Sequence, residues 1–245
     1  MGGVASCNPD ATRIVHCRSP CGKQTRPPPV ENSQPLIAVL ISGRGSNLQA
    51  LIDAERARSL GGRIVLVISN RAEAAGLKRA HAAGIETLVM PHGTYDSREA
   101  YDRAIVDVLR ARRVRLVCLA GFMRLVSAEL CDAFPGAILN IHPSLLPAFP
   151  GPHAQRQALA HGVKVSGATV HFVTPELDAG PIILQAVVPV HDDDSVEALS
   201  ERILAVEHEI YPEAVRRVLQ GGWHLQGRRI VGIGLPGDGN ISPRE

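Results

Sequence analysis

Asn140 and His142 stand two residues apart in LNIHPSLLPAFPG, residues 139–151, at the end of an apolar run with three prolines close behind. Residues at that spacing in a strand point to the same side. An amide and an imidazole would therefore project together, and this pair suits a carbonyl that becomes a tetrahedral oxyanion: the amide donates, and the imidazole changes charge near neutral pH. The plain alternative is a strand-end histidine with structural hydrogen bonds only. Pro143 ends the strand, and Pro147 and Pro150 stiffen the loop after it. A third candidate is Asp178, in the turn of TPELDAGPIILQ between two apolar runs, where Gly180 and Pro181 mark a sharp reversal. A carboxylate touching the imidazole would favour the imidazolium, a stronger donor to an oxyanion. Spacing alone leaves open whether the two meet, since Asp before Ala-Gly-Pro is often only a turn residue.

A different chemistry is suggested by VLISGRGSNLQAL at 39–51. A strand there runs through Gly43, Gly45, Ser46 and Asn47 into a helix, so free backbone N–H groups and the helix dipole converge on one spot suited to an anion. Glycine allows close backbone approach, and Ser46 and Asn47 add donors. Leu48 stands where a dinucleotide fingerprint needs its third glycine, and the Gly-Lys-Ser/Thr run of a P-loop is absent. A single terminal phosphate, as on a sugar phosphate, fits better. The competing reading is a capping box made by Ser46 and Gln49.

The elements that must hold these groups follow from periodicity. Short β-branched runs at 36–42, 63–69, 85–90, 114–120 and 137–141 alternate with helical-period segments near 46–58, 72–83, 97–112 and 127–133. That alternation predicts an α/β fold, a mostly parallel Rossmann-like sheet with helices on both faces. After the Asn-x-His run come a helix at 153–161, strands near 167–173 and 182–189, and a long helix at 195–219, so the C-terminal part should carry antiparallel strands and a long helix. The run DDDS at 192–195 reads as an acidic loop with Ser195 as N-cap, rather than as a metal site. The expected organisation is a disordered or loosely attached extension over 1–35, a catalytic domain over 36–225 and a tail over 226–245, with the residues after Trp223 read as a short strand followed by a frayed end.

Composition bounds the function. The 245 residues are 45% hydrophobic, with 26 Lys and Arg against 24 Asp and Glu and a formal charge of +2. No basic stripe for duplex nucleic acid is implied, and 3% aromatic content argues against a base-stacking surface. No apolar run approaches the ~18 residues of a membrane span, and no signal-peptide core is visible. Of five cysteines, Cys118 and Cys131 lie in apolar segments as small core residues, which favours a reducing cytoplasm. Cys7, His16, Cys17 and Cys21 in the extension lack paired C-x-x-C spacing, so no zinc site is assigned to them.

Six segments in register carry a resemblance. LISGRGSNLQALIDA, DSREAYD, LAGFMRLVS, LNIHPSLLPAFPG, VHFVTPELDAGPIILQ and EHEIYP, spread over about 36–225, resemble the phosphoribosylglycinamide formyltransferases, which are folate-dependent. The resemblance implies direct transfer of a formyl group from 10-formyltetrahydrofolate to the amine of glycinamide ribonucleotide, with no covalent enzyme intermediate and no metal. It places catalysis on Asn140, His142 and Asp178, the last holding His142 and helping to organise a proton-relaying water. It places the ribonucleotide phosphate on Gly45, Ser46 and Asn47, and the ribose hydroxyls on Glu207, which would otherwise be a solvated acid on a long helix. The folate would lie along Met123, Arg124, Leu125 and Val126, with Arg98 near its far end and the Thr174–Asp178 turn around its pterin. Asn140 would also contact the folate. His153 matches a family histidine near the site. Partners implied are small molecules only, with no nucleic acid or membrane, and a monomer or homodimer.

Related hydrolases and transferases set the alternatives. A formyltetrahydrofolate deformylase is expected to carry a regulatory domain ahead of the catalytic one, for which residues 1–35 are too few. A methionyl-tRNA formyltransferase is expected to add a C-terminal RNA-binding domain, for which the residues after the last helix are too few. A metal-dependent hydrolase using His142, His153, His171 and Asp178 lacks close ligand spacing. A non-catalytic ribonucleotide-binding module would tolerate loss of His142.

Overall fold

The computed structural model describes residues 34–233, which fall within one compact unit beginning at Gln34. The cysteines and histidine weighed as a zinc site, at 7, 16, 17 and 21, lie outside the described residues, as do most of the N-terminal extension and the last residues of the tail.

Five strands run parallel: β1 (Leu36–Ile41), β2 (Arg63–Ser69), β3 (Glu86–Val89), β4 (Leu116–Leu119) and β5 (Ile138–His142). Between them lie α1 (Ser46–Arg56), α2 (Ala75–Ala82), α3 (Arg98–Ala111) and α4 (Ala128–Ala133). After α5 (Ala154–Ala160), β6 (Val165–Phe172) pairs antiparallel with β5, and β7 (Ile182–Pro189) antiparallel with β6. The long α6 (Val196–Gln220) follows. Each element lies within a few residues of its expected position.

The sequence expectation fails at the tail. Where one short strand was expected, β8 (His224–Gln226) and β9 (Arg229–Val231) form an antiparallel hairpin, and β9 joins the sheet beside β7 through Ile182 and Arg229; the expected frayed end lies outside the described residues. The sheet order is β3-β2-β1-β4-β5-β6-β7-β9-β8. Gly227 sits between the paired strands with φ +62°, a conformation that costs glycine least.

Alternation along the strands explains the two-faced core. In β1, Ile37, Val39 and Ile41 pack on one side with α1 and α6, while Ala38 and Leu40 pack on the other with α3 and α4. β5 keeps the same period: Leu139 and Ile141 face the α6 side and Ile138 the α3–α4 side. Asn140 and His142 share the parity of Ile138, so they fall on one side of the sheet, beyond its last packed apolar residue. The strand order reverses between β1 and β4, which lie side by side while their connections leave in opposite directions. Open α/β sheets bind ligands at the carboxyl ends of strands beside such a reversal. Cys118 and Cys131 are buried free thiols, and burial pushes them up to about 12 and about 11, so both are inert core residues.

The acidic loop before α6 is a cap, as expected. Ser195 accepts from the Ala198 N–H at 3.1 Å, and Asp194 is held by a two-pronged contact from Arg202 at 2.7 and 2.8 Å. No helix among the described residues is long and apolar enough to cross a membrane.

Candidate active site

At the carboxyl end of β5 the three predicted polar residues come together. Asp178 Oδ2 lies 3.4 Å from His142 Nδ1, and both side chains are nearly closed off from solvent. On the other side of the ring, His142 Nε2 is 2.9 Å from the Phe149 carbonyl. A carbonyl can only accept, so Nε2 carries a proton, and an ionised carboxylate likewise accepts. Nδ1 faces the Asp178 carboxylate across the 3.4 Å gap. Asp178 also receives the Gly151 N–H at 2.8 Å, which ties the 143–153 loop to the 174–181 turn.

Asp178 occupies this place through local backbone geometry. Its φ is +48°, a region that Asp and Asn tolerate better than most residues. Two residues on, a Cβ at Gly180 would stand 1.8 Å from the Phe172 carbonyl oxygen, so only glycine lets the turn close against β6.

Side-chain hydrogen bonds brace the 143–150 loop in addition to its prolines. Thr169 Oγ1 donates to the Ser144 carbonyl at 2.7 Å and accepts from the Leu146 N–H at 3.0 Å, while Gln185 Nε2 reaches the Leu146 carbonyl at 2.9 Å. Two strand side chains thus fix the loop that follows His142.

One residue of this cluster entered the sequence reading only as a possible metal ligand. His171 lies directly across from Asn140 in the β5–β6 register, and its Nε2 is 3.2 Å from Asn140 Nδ2. Its Nδ1 faces the Phe172 carbonyl at 2.9 Å, so Nδ1 holds the proton and Nε2 accepts from the amide. Burial lowers the His171 pKa, keeping the ring neutral. His171 therefore fixes which end of the Asn140 amide is the donor and leaves that nitrogen's second N–H for the cleft. The strand period placed His171 on one face of β6; what pairs it with Asn140 is the antiparallel register. Among the described residues, no group of three or more His, Cys, Asp or Glu is arranged to hold a metal ion.

These groups lie along a cleft of about 640 Å³ whose walls include Gly121–Val126 and Val173–Asp178, with His153 at the rim. Met123, Arg124, Leu125, Val126 and Thr174 all line it. Met123 is 80% and Leu125 50% exposed, so neither is a core residue. Arg98 is not among the lining residues; it starts α3 and pairs with Glu99 at 3.3 Å in solvent. A second cavity, 590 Å³, lies near the start of β2 around Glu55, Arg63 and Glu86 and contains none of the predicted site residues.

The glycine loop forms a separate cluster after β1. Gly45, not Ser46, is the N-cap of α1, with φ +72° and no side-chain cap. The capping-box alternative is thereby overturned, because Gln49 turns its amide to Asp53 at 2.9 Å instead. The first-turn N–H groups keep no side-chain partner, as an anion cradle requires. A Cβ on Gly45 would sit 2.6 Å from Gly76 Cα, so the start of α2 presses directly on the loop. Asn47 Nδ2 donates to Glu207 Oε2 at 2.8 Å, and Glu207 is only 7% exposed. It is not a solvated acid. Burial raises its pKa, partly offset by the Asn47 amide. The other amide atom, Asn47 Oδ1, is buried without a hydrogen-bond partner.

The sequence profile of formyl transferases matches residues 36–215, most of the chain and all of the clusters just described. The chain belongs to the formyl transferase family. Among relatives, it is 48% identical over 192 residues to phosphoribosylglycinamide formyltransferase of Escherichia coli K12, covering 78% of this chain and 88% of that protein. It is 52% identical over 196 residues to the trifunctional purine biosynthetic protein adenosine-3 of Bos taurus, covering 80% of this chain. The chain spans about a fifth, 19%, of that trifunctional relative. Among solved structures, glycinamide ribonucleotide transformylase 1 from Symbiobacterium toebii superposes with a TM-score of 0.79 at 58% identity, over 80% of this chain and 93% of that one. A formyltetrahydrofolate deformylase from Pseudomonas syringae shares the formyl transferase fold more distantly, at 28% identity and a TM-score of 0.76, over 82% of this chain and 66% of that one.

Proposed function

We propose that the chain transfers the formyl group of 10-formyltetrahydrofolate to the amine of glycinamide ribonucleotide, giving N-formylglycinamide ribonucleotide and tetrahydrofolate in purine synthesis. The observation that carries this reading is the meeting of Asn140, His142 and Asp178 on a cleft with exposed apolar walls, with the anion cradle after the neighbouring strand β1.

The folate supplies an activated formyl carbon. Met123, Leu125 and Val126 offer apolar surface to its rings, and Thr174 to Asp178 close around the pterin. The cleft has the size and lining such a ligand needs: about 640 Å³, apolar walls, and a few converging polar groups. Arg98 would meet the folate only at its distal, solvent-exposed end. Gly45, Ser46 and Asn47 hold the ribonucleotide phosphate through backbone N–H groups, and Glu207 accepts from the ribose hydroxyls.

The amine nitrogen attacks the formyl carbon, the new C–N bond forms, and the bond to the folate nitrogen breaks. One amine proton passes to that nitrogen, by way of a water organised by Asp178. Asn140 donates its free amide N–H to the oxyanion. His142 donates from Nε2, and to do so it must exchange the Phe149 carbonyl for the substrate oxygen. The partners on this reading are these small molecules, the compartment is the cytoplasm, and the chain acts as a monomer or homodimer.

The test is to mix purified protein with both substrates and follow folate absorbance. Product formation only when the ribonucleotide is present is the expected result. No change would overturn the reading, and an equal rate without ribonucleotide would favour the deformylase-like hydrolase.

A further inference from the structure

Gly121 to Val126 forms one wall of the cleft, yet it belongs to a loop, closed by Ser127, with no regular structure of its own between β4 and α4. It is fastened at both ends. At the start, Ser42 N–H donates to the Gly121 carbonyl at 3.1 Å and Ser42 Oγ accepts from the Met123 N–H at 2.9 Å. At the far end, Asp102 Oδ2 accepts from the Ser127 N–H at 2.6 Å.

Asp102 is an unusual anchor. It is 1% exposed, on an α3 face that otherwise buries Tyr101, Ile105, Val106 and Leu109. A carboxylate removed from water is costly unless it is hydrogen-bonded and near opposite charge. Here burial is the largest influence on the group and raises its pKa; hydrogen bonding from Ser127, then Arg124 and Arg98, offset it. Arg124 belongs to the same loop, and its guanidinium lies 5.1 Å from the Tyr101 ring centroid, over the residue preceding Asp102. Arg124 Nε and Tyr101 Oη are both buried and lack a hydrogen-bond partner, so neither ties the loop down by that route. The chain thus keeps an acid in an apolar helix face at a place where a 2.6 Å hydrogen bond from Ser127 N–H holds the cleft wall.

We infer that Asp102 is a positioning residue for the folate: through the Ser127 N–H it sets the path of the 121–127 loop and hence the surface that Met123, Leu125 and Val126 present. The inference rests on the reading of this cleft as the folate site. Its consequence is selective, because the glycine loop and Glu207 are held by other contacts.

The experiment compares full-length wild type, Asp102→Ala and Asp102→Asn, measuring kcat, the KM for each substrate, and amide hydrogen exchange over residues 122–127. Asn keeps a side-chain oxygen able to accept from Ser127 and lacks the charge. The expected result is a rise of about tenfold in folate KM for D102A, as for a buried N–H deprived of its partner. Ribonucleotide KM and kcat stay within threefold, and D102N restores folate KM. Exchange should quicken in D102A alone. An unchanged folate KM, an equal rise in both KM values, or D102N as impaired as D102A would overturn the inference. Should wild type transfer no formyl group, the functional reading fails by itself, and exchange still decides the anchor: equal rates in all three proteins would refute it.

Discussion

The two polar clusters at the carboxyl end of the sheet use their hydrogen-bond donors differently. Around His142 nearly every polar atom is matched within the protein: its ring lies between Phe149 and Asp178, Asp178 takes the Gly151 N–H, and Asn140 is set by His171. Around Gly45 the first turn of α1 has no side-chain cap, and Asn47 Oδ1 has no hydrogen-bond partner. The first pattern fixes groups in orientation before a ligand arrives, which is what stabilising a developing charge demands. The second leaves donors for the ligand to satisfy, which is what binding a phosphate demands. One cluster should therefore govern turnover and the other affinity.

The sharpest way to break that division is to remove His142. Taking away an oxyanion donor costs roughly a hundred- to thousandfold in kcat. His142→Ala is expected to lose at least that much while binding the ribonucleotide as wild type does by calorimetry. A fall in affinity matching the fall in turnover would erase the distinction between the clusters. His171→Ala should act in the same direction but less, about ten- to hundredfold in kcat, because it frees the Asn140 amide to turn rather than removing it. Both KM values should stay near wild type, and a KM effect without a kcat effect would place His171 outside the reacting cluster.

Gly45→Ala probes the other side. The added methyl meets Gly76 Cα at 2.6 Å, and φ +72° costs a non-glycine residue ~1–2 kcal/mol. The loop must shift, and ribonucleotide KM should rise about tenfold with folate KM unchanged. Equal effects on both substrates would show that the loop and the cleft are mechanically one unit.

Much of this was legible from residue types. β-branched runs, a glycine turn and proline punctuation placed β1 to β5 within a few residues, because a sheet buried on both faces leaves little freedom in composition. Asn140 and His142 were readable because a two-residue period decides sidedness without knowing any partner strand. Asp178 and Glu207 were a different matter. Asp178 reaches His142 through a turn closed by Gly180, and Glu207 meets Asn47 across 160 residues. Such contacts follow from helix and strand packing, which local pattern does not encode, and residue types alone left both open. His171 needed the β5–β6 register, and the β8–β9 hairpin was hidden because three-residue strands show too little alternation to count.

The smallest expected effect sharpens the claim that the ribonucleotide cluster is built around a buried acid. Burial raises the Glu207 pKa above the ordinary 4.5, so the native chain holds this proton more tightly than the unfolded chain does. The stability Glu207 contributes through that proton is fully present below about pH 4.5 and is lost as pH rises through its native value. Glu207→Gln has no proton to lose at this position. Its stability relative to wild type should therefore improve as pH is raised from 4.5 toward neutral, then level off once Glu207 is ionised in the native state. Urea midpoints for both proteins at a series of pH values give the difference directly, since every other titrating group cancels to first order. A difference that is flat across the range would mean that Glu207 is solvated in the native state, and that Asn47 is not held by a desolvated carboxylate. The same variant keeps one side-chain acceptor for a ribose hydroxyl, so its ribonucleotide KM should rise by no more than about tenfold.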